Sequence, residues 1–255
     1  MEYLDSENSK YDKELSFQDV TQFINSIEVL LIEFGEKFQE NGTFSHERFL
    51  HDLFVEHNWS KFFKKSLKNG WYWVSDEIIG YDIDECISEL NKGGDNFDRF
   101  MTVKINSHIQ EIEQNILIGN EIRTPIVSEA FKLLSERRYL ACIPLLLSQA
   151  DGIVKDAINI QLFDKARDRK EFIKNRMIEH PEEVMILAQM DGRLTSCFIE
   201  SLSGARARNK GPNRHAILHG DISYLDYGNE LNALKCVALL SYVSQLKEYF
   251  KKIAL

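Results

Sequence analysis

From Ser16 to Gly42 the chain reads SFQDVTQFINSIEVLLIEFGEKFQENG, and its apolar residues recur every three or four positions: Val20, Phe23, Ile24, Ile27, Leu30, Leu31 and Phe34. That spacing predicts an amphipathic helix, with Ser16 as N-cap and Asn41-Gly42 as the stop. The residues before it, 1–15, are polar and predict a flexible tail. Shorter helical patterns follow at about 46–56, 59–68 and 75–90. Between the last two stand three clustered aromatics, Trp71, Tyr72 and Trp73. An acidic stretch follows them, so they predict an aromatic plug in a core in preference to a base-stacking platform.

Gly93-Gly94, flanked by Asn and Asp, marks a break. One helix is expected after it, carrying Met101, Val103, Ile105, Ile109, Ile112 and Ile116. RTPIVSEAFKLLSERRY opens the next, with Thr124 as N-cap and Pro125 at the first helical position. YLACIPLLLSQADGIVKDAINIQLF is apolar nearly all round and predicts the central, most buried helix. Pro144 in that run is expected in a first turn or at a tolerated kink. Residues 165–178 and 182–200 predict two further helices. NELNALKCVALLSYVSQLKEYFKK predicts a long amphipathic last one, with Leu231, Leu234, Val237, Leu240, Val243, Leu246 and Phe250 inward. No stretch alternates with period two, so the expected fold class is all-α. The expected organisation is a helical region over 16–118 and a helical domain over 119–255.

Composition narrows the class without naming an activity. The chain has 255 residues, 44% of them apolar, and a formal net charge of -9. Its mean field therefore repels polyanions, and a nucleic-acid contact requires a local basic patch. Cys86, Cys142, Cys197 and Cys236 are scattered without a C-x-x-C pair, which predicts reduced, buried thiols in a cytoplasm. No apolar run reaches membrane-spanning length, and the polar, acidic opening does not read as a signal peptide.

The charge pattern changes between Glu200 and Asp221. SLSGARARNKGPNRHAILHG holds Arg206, Arg208, Lys210 and Arg214 and no acid. Arg206, Arg208 and Lys210 are candidate RNA phosphate contacts, since guanidinium donors pair with phosphate oxygens; a solvated loop that merely collects charge is the plain alternative. The loop runs into Arg214-x4-His219, with His215 beside the arginine and Gly220 after it.

Arg214-His215-x3-His219, followed by Asp226-Tyr227-Gly228 and a long last helix, resembles the HEPN superfamily of helical, mostly RNA-cleaving domains. The upstream segment SERRYLACIPLLLSQADGI resembles the core helix of one bacterial branch of it. The resemblance spans roughly residues 121–250 and does not reach the N-terminal region. It implies an up-and-down helical bundle, a homodimer with a composite site, and metal-independent cleavage of RNA without a cofactor. It further implies a toxin or antiviral-defence effector, with an antitoxin or defence-system protein as possible partner. Asp221 stands where some members carry a tyrosine, so no role of that tyrosine is carried over.

The chemistry follows from the residue types. RNA cleavage by its own 2′-hydroxyl requires proton transfer at two oxygens and a cation for the phosphorane. Histidine, with an ordinary pKa of about 6.5, supplies both protonation states near neutrality. His219 is thus the candidate acid/base, Arg214 the phosphate clamp, and His215 a residue that positions substrate or polarises His219. On a regular helix residues five apart lie about 140° apart and about 7.5 Å along the axis, so Arg214 and His219 do not share a face. Asp151 is a candidate to orient Arg214 or a motif histidine, or else a structural pair; Asp226 and Tyr227 are candidate cleft residues. Three other readings compete. His215 and His219 have the spacing of a two-His metal half-site but no third ligand, so no metal is expected. The turn is otherwise a capped helix end with two satisfied imidazoles, or part of a non-catalytic HEPN-like module that binds RNA or protein and dimerises.

Overall fold

The structure is a computed structural model and describes residues 66–74, 79, 83–163, 171–173, 175–176, 189–190, 198 and 211–253. These residues fall within one compact unit, Glu56–Leu255. The helices expected before residue 66 and most of those over 165–178 and 182–200 lie outside the described residues.

Seven α-helices are described: α1 Ile83–Asn91, α2 Gly94–Ser107, α3 Ile109–Leu117, α4 Thr124–Ser135, α5 Tyr139–Ile158, α6 Arg214–His219 and α7 Glu230–Ile253. Short 3-10 turns at Glu121–Arg123 and Ile222–Tyr224 join α3 to α4 and follow α6. Among the described residues there is no strand, and the protein is all-α. Helices α5 and α7 form the central pair, α4 covers α5, and α2 and α3 cover α7. The core is thus continuous across residue 118: α2 and α3, from the first part of the chain, pack on the last helix.

The expected last helix is amphipathic, yet every residue of α7 from Ala233 to Ser244 is buried. Its polar positions are compatible with this because each finds a partner. Lys235 ion-pairs with Asp98 Oδ1 at 3.1 Å, and Ser244 Oγ donates to Leu240 O at 2.9 Å. Asp98 Oδ1 also accepts from Trp71 Nε1 at 2.6 Å, and the Lys235 ammonium lies 5.4 Å from the Trp71 ring centroid. The aromatic cluster is the expected plug: Trp71 and Tyr72 are buried, and Tyr72 stacks on Tyr242 with centroids 5.2 Å apart. Cys86, Cys142 and Cys236 are buried thiols; Cys197 lies outside the described residues.

Two local departures from the expected pattern have identifiable causes, and Pro144 takes the second of its two expected places. The single helix expected after Gly94 is broken at His108 (φ -119°, ψ 16°). Lys104 O, the ladder acceptor for the His108 N–H, instead accepts from Ser107 Oγ and His108 Nδ1, each at 2.9 Å. The His108 N–H shifts to Ile105 O. Side chains that compete for a ladder carbonyl interrupt helices in this way. Thr124 is not an N-cap but the first residue of α4, with helical angles, because the 3-10 turn runs straight into it. Pro144 lies inside α5 rather than in its first turn.

Pro144 has no N–H to give to Leu140 O, four residues earlier. That carbonyl accepts instead from the Tyr227 hydroxyl at 2.9 Å. The next residue must come close to the same turn. A Cβ on Gly228 would stand 2.4 Å from Leu140 Cδ2 and 3.2 Å from its backbone nitrogen. The Tyr227-Gly228 pair is therefore a backbone dock fitted to the gap that Pro144 opens.

Candidate functional site

Helix α6 is short but held at both ends. Asn213, 1% exposed, accepts from Ala216 N–H at 3.0 Å through its side chain and caps the N-terminus. At the other end Gly220 is left-handed (φ 67°), Gly220 N–H bonds to Ile217 O, and Asp221 N–H to Ala216 O at 2.9 Å. This paired 5→2 and 6→1 closure is the Schellman motif, which favours glycine at the left-handed position. Asp221 then caps the following 3-10 turn, accepting from Ser223 N–H at 2.8 Å. Ala216 and Ile217 are buried and pin the helix to the core, where it contacts α5.

With that face inward, the chemistry-bearing side chains separate as the helical spacing predicts. His215 and His219 are both exposed, with ring centroids 4.2 Å apart and planes tilted by 59°. Arg214 turns the other way. Its guanidinium carbon lies 5.4 Å from the Phe163 ring centroid, and its Nη2 is 3.8 Å from Asp151 Oδ2. The pair is long for an ion pair, and the Arg214 side chain is 28% exposed against 13% for Asp151. Arg214 Nε is buried with no acceptor. Asp151 Oδ1 meanwhile accepts from Phe163 N–H at 3.3 Å, which ties the turn after α5 to the same carboxylate.

The sequence-based candidates thus divide. Arg214 and Asp151 come together, and so do His215 and His219. Tyr227 is spent on the α5 backbone, and burial raises its phenol pKa. Asp226 is exposed. Arg206, Arg208 and Lys210 lie outside the described residues. Sequence reasoning missed Phe163, the aromatic wall under Arg214, and Phe198, whose carbonyl accepts the Arg214 N–H at 3.3 Å. Neither carries a local signal, since each reaches Arg214 across a long stretch of chain.

The segment QADG has a readable structural part. Gln149 Oε1 accepts from Arg123 Nη1 at 3.0 Å, and Arg123 Nη2 lies 2.7 Å from Asp156 Oδ2. A Cβ on Gly152 would stand 2.6 Å from Arg123 Nη1. The glycine inside α5 makes room for this guanidinium, and a mid-helix glycine was the available signal. Among the described residues no three His, Cys, Asp or Glu side chains converge to hold a metal ion, and no helix is long and apolar enough to cross a membrane.

The chain matches no protein-family model, no curated protein and no solved structure.

Proposed function

We propose that this protein is a metal-independent endoribonuclease of the HEPN type, acting in the cytoplasm as a toxin or antiviral-defence effector. The observation that carries the reading is the twofold character of α6. One rigidly capped turn exposes two adjacent imidazoles and holds an arginine whose Nε has no acceptor. The guanidinium is still 28% exposed, and its planar terminal donors suit an anionic oxygen.

In the reaction, His219 takes the proton of the 2′-hydroxyl or delivers one to the departing 5′-oxygen. The 2′-oxygen bonds to phosphorus as the P–O5′ bond breaks, leaving a 2′,3′-cyclic phosphate and a 5′-hydroxyl. Arg214 balances the phosphorane charge, and His215 positions the substrate or the neighbouring imidazole. Arg206, Arg208 and Lys210 hold flanking phosphates.

A single copy provides its arginine and its histidines on different faces, so the site is composite and forms between two protomers. Leu218, Ile222 and Leu225, exposed on the same segment, supply an apolar rim for that contact. The same rim favours a second reading, a non-catalytic module that uses this face to bind a partner protein such as an antitoxin, or RNA.

Incubating RNA and matched DNA with the protein in EDTA tests the proposal. RNA alone is expected to be cut, with cyclic-phosphate ends, and cleavage is expected to vanish in His219→Ala and Arg214→Ala. Cleavage of DNA, or a strict metal requirement, would remove the mechanism. A fully active monomer in sedimentation would remove the composite site. Survival of biological effect and of binding in His219→Ala selects the module.

A further inference from the structure

A cavity of about 510 Å³ opens where α2, α3, α4 and the starts of α5 and α7 meet. None of its lining residues belongs to α6, and neither Asp151 nor Phe163 takes part. It is therefore a separate site, and its volume falls in the range of small-molecule pockets.

The charges in it come from two sets of elements. Lys132 and Arg137 come from the end of α4 and the turn after it. Glu113 comes from α3, and Glu230 from the first residue of α7. Glu230 accepts from Asn106 Nδ2 at 3.2 Å. Among the described residues neither Lys132 nor Arg137 makes an ion pair, although two carboxylates line the same cavity. The Tyr139 phenol senses both groups: burial and Glu230 raise its pKa while Arg137 lowers it. Burial also raises the pKa of Glu113. The buried ring of Phe131 adds an apolar wall.

The backbone at the basic end is unusual as well. Arg137 is left-handed (φ 59°), at the place in the α4 closure that favours glycine: Arg137 N–H bonds to Leu134 O and Arg138 N–H to Leu133 O. Helix α5 starts immediately afterwards with no side-chain cap, although the Ala141 N–H already bonds to Arg138 O at 3.1 Å.

We propose that this cavity binds a small phosphate monoester bearing an amino group, of which a nucleoside monophosphate with an amino-substituted base is the type. The phosphate lies on Arg137 and Lys132, beside the first turn of α5. The amino group donates to Glu113 and Glu230, and the ring system lies along Phe131 and Tyr139. The site stands independently of the nuclease reading.

Titration calorimetry on the full chain tests it, with AMP as probe and UMP, adenosine and inorganic phosphate as separate arms. AMP is expected to bind saturably, and adenosine and phosphate each at least about tenfold more weakly, because each retains only one end of the recognition. UMP, which lacks the amino group, is expected to bind more weakly than AMP, and Glu113→Gln to narrow that difference. Arg137→Gly is the decisive variant. Glycine relieves the left-handed backbone, so its Tm is expected to rise while AMP affinity falls at least about tenfold. A raised Tm excludes misfolding as the cause of the loss. Absence of saturable AMP binding overturns the proposal, as does binding unchanged in both Arg137→Gly and Lys132→Ala.

Discussion

Lys235 and Arg214 each carry a positive charge away from water, and the protein treats the two differently. The Lys235 side chain is 3% exposed; it ion-pairs with Asp98 at 3.1 Å and lies against the Trp71 ring. Trp71 Nε1 bonds to the same carboxylate, so three distant parts of the chain share one saturated knot. Arg214 is 28% exposed, its acid is 3.8 Å away, and its Nε has no acceptor. A saturated buried pair contributes mainly to one unique packing, and breaking one side of it is expensive. A half-satisfied cation contributes little to stability and retains donors for an incoming anion. The contrast separates a residue that maintains the fold from one suited to act on a ligand.

The largest expected effect is on the first of these. Lys235→Ala strands Asp98 and is expected to cost about 3 kcal/mol in urea unfolding, with Lys235→Met/Asp98→Asn recovering much of it. Arg214→Ala is expected to cost no more than about 1 kcal/mol while removing RNA cleavage by a factor of about 100 or more. If the two alanine variants lose equal stability, the contrast between the cations fails. Tyr227→Phe leaves Leu140 O without its donor and is expected to cost about 1 kcal/mol, with cleavage retained at temperatures where the variant is folded. Loss of cleavage without loss of stability would return Tyr227 to the cleft.

The smallest effect appears only in alkali. Burial raises the Cys142 thiol from 9.0 to about 12 and the Tyr242 phenol well above 10.0. Both groups stay protonated in the folded state while the unfolded chain ionises. Their contribution is therefore complete below the ordinary pKa and is lost as pH rises towards the folded one. Near about pH 9.5 the loss is expected to be less than about 1 kcal/mol for each group. Cys142→Ala and Tyr242→Phe are expected to flatten that fall in denaturation series, whereas Arg214→Ala leaves it unchanged.

Much of this architecture was legible where local rules decide. Gly220 marked the end of α6, the apolar run marked α5, and the spacing of Arg214 and His219 foretold their separation. The misses arise where a distant partner changes a local rule. Lys235 reads as a solvent-facing position until Asp98, 137 residues away, is known. Pro144 reads equally as a first-turn residue or a tolerated kink until Tyr227 supplies the missing donor. The break at His108 was local, but it depends on two side chains choosing one carbonyl, which periodicity does not register. At the candidate site the pattern offered Asp151 to Arg214, to a motif histidine or to a structural pair, and Arg214 is the residue it lies beside. It did not identify Phe163, which reaches the arginine only because the turn after α5 folds back onto Asp151.

The junction between Leu140 and Tyr227 also has a meaning in time. A chain emerging in order from the ribosome exposes all of α5 well before residue 227, so the carbonyl left open by Pro144 stays hydrated during that interval. Helix α7, the most extensive partner of α5 among the described helices, arrives later still. The two central helices therefore mature together, and the turn bearing Arg214 and His219, encoded between them, acquires its rigid footing only after α7 has emerged.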